Sequence, residues 1–118
     1  MLIPIASSDP LDGNEIIDKI LSNKIIFISE MTEMEMLCKF DLTKSQRKLI
    51  REMLDDCVIV PFNAAIKHKA IQIRLTTRMK LVDSIIVASA VEMKAKLVTS
   101  DLKFESAKNI VELILIQA

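Results

Sequence analysis

Short apolar runs alternate with longer mixed segments along the chain. Ile25–Ser29 (IIFIS), Val58–Val60 (VIV), Leu97–Ser100 (LVTS) and Val111–Ile116 (VELILI) are short and rich in β-branched residues, which predicts strands. The segments between them carry helical patterns. Asp9-Pro10 reads as a cap followed by proline at the first helical position, with a helix or pair of turns running to about Leu21. Thr32–Phe40, Lys44–Asp55 and Asn63–Arg78 predict three more helices. Ser84–Lys94 (SIIVASAVEMK) is apolar on nearly every side, so that helix is expected to be buried. Leu2–Ala6 has the composition of a strand, although Pro4 brings no N–H to a ladder. Strands that alternate with helices predict a parallel sheet covered on both faces. With 118 residues and no repeat or linker, residues 1–118 read as one domain.

Composition narrows the functions available. Sixteen basic and sixteen acidic side chains cancel, which excludes binding to nucleic acid by net charge alone and leaves local patches to meet any anionic partner. With no Trp and no Tyr, the chain has little aromatic surface for stacking bases. Cys38 and Cys57 are isolated thiols without CxxC spacing, so neither a zinc site nor a disulfide framework is indicated. No apolar run approaches the ~20 residues that span a bilayer, and MLIPIASSDP lacks the basic start and long apolar core of a secretion signal. Both observations, with the unpaired thiols, place the protein in the cytoplasm.

Open parallel sheets carry their sites at the carboxyl ends of strands, where strand order reverses. Carboxylates collect at those ends: Glu30, Glu33 and Glu35 after the first strong strand, Asp101 after Leu97–Ser100, and Asp83 at the head of the apolar helix. Each has a plain structural explanation. Thr32 and Glu35 have the spacing of a capping box, Asp83 suits an N-cap, and Asp101 suits a turn. Together they change weight, because carboxylates beside deeply apolar segments need a partner or a cation. Hard ions such as Mg²⁺ and Mn²⁺ take oxygen ligands, activate water and stabilise charge on phosphate.

The order of these motifs resembles the PIN-domain family. ISEMTEMEML, residues 28–37, is similar to that family's Thr-x-x-Glu after a strand. RLTTRMKLVDSIIVASAVEMKAKLVTSDLKF, residues 74–104, resembles the remainder: an Asp, an apolar helix of small residues, then a strand ending in Thr-x-Asp and a Phe. Within the family the likeness is to VapC-type toxins, ribonucleases of bacterial toxin–antitoxin pairs. The resemblance implies a three-layer α/β/α sandwich with a central parallel sheet of four or five strands, a Mg²⁺ or Mn²⁺ site, and phosphodiester hydrolysis in RNA. It implies that Glu35, Asp83 and Asp101 hold or organise the metal, and that Thr32, Thr99 and Ser100 are their supporting polar neighbours. A homodimer through the methionine-rich helices of residues 30–55 and a VapB-type antitoxin are the partners expected.

One departure stands at the front, in residues 1–12. The family's first strand ends in an acid, and here the matching position is Ile3, within MLIPI. Asp9 or Asp12 is left to substitute, or the site works without that acid and the domain is a degenerate one that binds RNA or an antitoxin with little turnover. Lys67, Arg74 and Arg78 fall seven and four residues apart on one helix face, as do Lys44, Lys48 and Arg51 on the helix before. Such stripes are either solvated faces or phosphate contacts, and Lys67, Arg74 and Arg78 are the RNA-contact candidates. His68 has no second histidine to form a ligand pair or a nucleophilic triad.

Overall fold

A computed structural model describes residues 2–4 and 25–116. The helix expected over 9–21, with Asp9, Asp12 and Gly13, lies outside the described residues. Strand β1 (Leu2–Pro4) pairs in parallel with β2 (Ile25–Ser29), and β2 pairs in parallel with β3 (Val58–Val60). Helices α1 (Glu30–Leu37) and α2 (Lys44–Asp55) connect β2 to β3. Helices α3 (Ala64–Thr77) and α4 (Leu81–Glu92) then lead to β4 (Leu97–Thr99). A 3₁₀ helix (Leu102–Ala107) joins β4 to its parallel partner β5 (Leu113–Leu115).

The expected single sheet of four or five strands is thus built as two ladders, β1-β2-β3 and β4-β5. β1 lies beside β4, which gives the spatial order β3-β2-β1-β4-β5, but no ladder bond joins these two among the described residues. Chain order therefore runs outward from β1 on one side and resumes at β4 on the other. The reversal falls between β1 and β4.

Alternation along β2 divides the core. Successive strand residues face opposite sides of a sheet, and Phe27 packs with Ile66, Ala70 and Ile73 of α3 and Ile86 and Ala90 of α4. Ile28, the next residue, packs with Met36 of α1 and Ile50 and Leu54 of α2. Helical layers on both faces of the parallel strands make the three-layer sandwich. The expectation of a buried helix holds: every residue from Asp83 to Ala90 is buried. Full burial of Ile86 or Val87 contributes about 1.5–3 kcal/mol each. The serines among them stay satisfied within the helix, Ser89 Oγ donating to the Ile85 carbonyl at 2.8 Å and Ser84 Oγ to that of Lys80 at 3.0 Å.

Several boundaries differ from the sequence reading, each for a local reason. Helix α1 begins at Glu30 because Ser29, the last residue of β2, is itself the N-cap and accepts from the Met31 N–H at 3.1 Å. Thr32 and Glu35 therefore form no capping box. That device appears instead at α2, where Thr43 accepts from the Gln46 N–H and the Gln46 side chain accepts from the Thr43 N–H. Asp83 is not an N-cap. Lys80 occupies that place without a side-chain hydrogen bond, and Asp83 lies in the first helical turn.

The two cysteines differ in reach. Cys38 is exposed, whereas Cys57 is partly buried, its thiol directed at the Met53 carbonyl oxygen, 3.3 Å away. Burial first, and the Asp56 charge second, push the Cys57 thiol above its ordinary value of 9.0. Thiolate is the reactive form. Iodoacetamide followed by peptide mass spectrometry should label Cys38 well before Cys57 at pH 8, and the Cys57 rate should still be climbing above pH 9. Equal rates across that range would contradict the described burial.

Candidate active site

A helix that leads into a parallel strand runs antiparallel to it, so the first turn of α4 lies at the carboxyl end of the sheet. The α3–α4 turn fixes that position. Arg78 caps α3 in the left-handed region, φ 62°, where a side chain costs about 1–2 kcal/mol relative to glycine. The Arg74 guanidinium donates to the Met79 carbonyl at 2.6 Å, and the Thr77 hydroxyl accepts from the Met79 N–H at 3.2 Å. These bonds deliver Asp83 to the sheet edge, buried, beside the positive end of the α4 dipole.

From the other side, the end of β4 delivers Asp101. Thr99 is fully buried, and its Oγ1 accepts from the Asp101 N–H at 3.1 Å. Ser100, between them, is partly buried. Asp101 then caps the 3₁₀ helix, one carboxylate oxygen accepting from the Lys103 N–H at 3.0 Å. This capping role coexists with a second contact. The Lys103 ammonium lies 3.1 Å from the other Asp101 oxygen and 3.5 Å from an Asp83 oxygen, bridging the two acids.

Lys103 is the residue that sequence reasoning missed. Its hydrogen bond to Asp101, together with the charges of Asp83 and Asp101, holds its pKa above the ordinary lysine value of 10.5, against a smaller opposing effect of burial. The only signal in the sequence was a lysine two residues after a strand-end acid.

Glu35 does not join this pair. Among the described residues, no three His, Cys, Asp or Glu side chains form a group able to hold a metal ion. The inward positions of α1 are Thr32 and Met36, one turn apart, which leaves Glu35 about 100° round the helix and exposed. Thr32 is 1% exposed, and its Oγ1 has no hydrogen-bond partner among the described residues, an orphaned hydroxyl in the first turn after β2. Such a group costs about 1–3 kcal/mol unless something meets it.

A hollow of about 270 Å³ opens beside Asp83, lined in part by Arg78, Lys80, Lys103 and Ser106. Three cations thus line the hollow with Asp83, and of these Lys103 also meets Asp101. Of the basic residues picked out on α3, only Arg78 lines this hollow; Arg74 is engaged with the turn, and Lys67 is exposed elsewhere on the helix. Lys44, Lys48 and Arg51 are exposed on α2, with Lys48 in an i,i+4 pair with Glu52 at 3.9 Å.

Fold and site together describe a parallel α/β domain with an acid pair at its topological switch. The chain belongs to the PIN domain family, whose model matches residues 2–110. Among solved structures it is similar to VapBC-1 from nontypeable Haemophilus influenzae, with a TM-score of 0.81 and 15% identity over 98% of both chains. VapBC2 from Rickettsia felis, bound in that structure to a DNA fragment from its promoter, gives a TM-score of 0.73 and 20% identity over 98% of both chains. A toxin–antitoxin complex from Klebsiella pneumoniae gives 0.67 and 22% identity, covering 79% of this chain and 76% of that one. At these identities the likeness is one of fold. No curated protein sequence matches the chain. No helix among the described residues is long and apolar enough to cross a membrane.

Proposed function

We propose that this chain is a VapC-type PIN nuclease that hydrolyses phosphodiester bonds in RNA, with Asp83 and Asp101 as its acid pair. The observation that carries this reading is the gathering of both carboxylates around one cationic group, the Lys103 ammonium, at the sheet's switch point. A site already arranged around a positive charge fits a divalent ion, and Mg²⁺ is commonly held by one or two carboxylates with water and substrate oxygens completing its shell. Asp83 and Asp101 would hold the ion, which would supply an activated water and neutralise charge developing on the phosphoryl group. Glu35, facing solvent, is left out of this set.

The chain's own residues supply the rest. Thr99 fixes the Asp101 backbone, and the Arg74–Met79 bond fixes the turn before Asp83. Arg78 and Lys80 face the hollow as phosphate contacts, which position a nucleic-acid backbone without reading its bases. An antitoxin partner is supported by the toxin–antitoxin complexes among the structural relatives. Ile71, Leu75, Leu81 and Val82 leave apolar surface exposed on α3 and α4 for such a partner, and Met34, Phe40 and Leu49 leave more on the 30–55 segment for a homodimer.

Ile3 favours a second reading. It stands in β1, where the resemblance places a central acid, and an isoleucine offers no ligand. On that reading the domain binds RNA or an antitoxin and turns over weakly. Incubating the chain with a mixed RNA pool in Mn²⁺, with EDTA as the control, separates the two. Fragments that appear with Mn²⁺ and vanish with EDTA are the expected result; RNA retained on the protein but left whole would establish the second reading.

A further inference from the structure

Asp83 is buried, its side chain 9% exposed, and an unneutralised carboxylate at that depth is costly. Its neutralising partner sits on a different element, at the start of the 3₁₀ helix, and that partner is only half buried: the Lys103 side chain is 48% exposed. A lysine ammonium is a compact charge on a flexible four-carbon stem. It therefore reaches both acids while keeping water close enough to withdraw without first crossing an apolar barrier.

We propose that Lys103 is a tethered counter-ion that closes the acid pair and competes with any divalent cation for it. This rests on the reading of Asp83 and Asp101 as an ion-holding pair. A metal ion and the ammonium cannot both occupy the space between the two carboxylates, since the ammonium already lies 3.1 and 3.5 Å from their oxygens. Metal affinity is then reduced by the fraction of molecules in which Lys103 is in place, the same arithmetic that governs any site open only part of the time. The side chain is thus a determinant of how much metal the domain needs, separate from the ligands themselves.

Mn²⁺ titrated by calorimetry into the full chain and into K103M, K103Q and K103R tests this, with thermal unfolding followed alongside in metal-free buffer. K103M keeps the aliphatic stem and removes the charge, K103Q removes the charge but keeps a hydrogen-bond donor, and K103R keeps the charge. K103M and K103Q should bind Mn²⁺ about tenfold more tightly than the parent, with K103R within about twofold of it. Without metal, K103M and K103Q should unfold at lower temperature than the parent, and saturating Mn²⁺ should remove that difference. Equal Mn²⁺ affinity in the parent and the two uncharged variants, or tightening by K103R as well, overturns the competition while leaving the ion-holding pair intact. No Mn²⁺ binding by any of the four proteins overturns the ion-holding reading and this inference with it.

Discussion

Replacing Phe104 by alanine should lower the unfolding free energy by about 3–5 kcal/mol, a large part of the roughly 5–15 kcal/mol that holds a domain of this kind together. The ring is fully buried within the cluster that includes Ile86, Leu97, Ala107 and Val111. Few neighbours can move in to fill the space, because the 3₁₀ helix that carries the ring is packed against α3 and β5. The loss reaches further than volume. Phe104 follows Lys103 in the 3₁₀ helix and is the anchor of the segment that carries the ammonium. Urea unfolding followed by circular dichroism should show a lower midpoint at an unchanged slope, the sign of altered stability without altered exposed surface. A loss below about 1.5 kcal/mol would mean that the cavity collapses and that the segment is held by other contacts.

Asp83→Asn should reduce Mn²⁺-dependent RNA cleavage about a hundredfold or more, since a catalytic ion contributes several kcal/mol and each tenfold in rate corresponds to about 1.36 kcal/mol. Asparagine keeps the shape and loses the charge. Stability should move much less, by about 1 kcal/mol or under, because the partner left behind, Lys103, is half exposed and rehydrates. The split between a large kinetic effect and a small thermodynamic one is what distinguishes a working carboxylate from a structural one. Undiminished cleavage by Asp83→Asn would remove the acid pair from the chemistry.

The alternation of strands and helices was legible because burial and period coincide in this chain. β2 and β3 fall where their β-branched runs lie, and Ser84–Lys94 carries so few polar atoms that only the interior suits it. Boundaries were less legible where one residue serves two elements. Ser29 ends β2 and caps α1 with no loop between, so the helix starts two residues before the Thr32 that resembled a cap. At α4 the cap is Lys80, which makes no side-chain bond, and an Asp three residues later drew the start inward. β5 extends only over Leu113–Leu115 because its ladder reaches no further than the three residues of β4. Within the site, the acids could be picked out one by one, since each follows a recognisable local feature. Their bridging by Lys103 could not, because it depends on the 3₁₀ helix returning across the first turn of α4. The position of Glu35 likewise turned on which face of α1 packs inward, a choice made by Thr32 and Met36.

The placement of β1 between β2 and β4 also sets the order in which the chain can assemble. Ile3 pairs with Ile26, 23 residues away, while its other neighbour, β4, begins at Leu97, 94 residues from Ile3. Closing the longer loop carries about 1.2 kcal/mol more entropy loss than closing the shorter one. The β1-β2-β3 ladder and the β4-β5 ladder, whose Leu97 and Leu113 are 16 residues apart, therefore form at lower cost, and the two meet late. The acid pair itself is local, since Asp83 and Asp101 lie 18 residues apart and Lys103 bridges them, so it forms without waiting for β1 and β4 to meet. Recovery of Mn²⁺ binding after dilution from urea would then keep pace with recovery of helical signal.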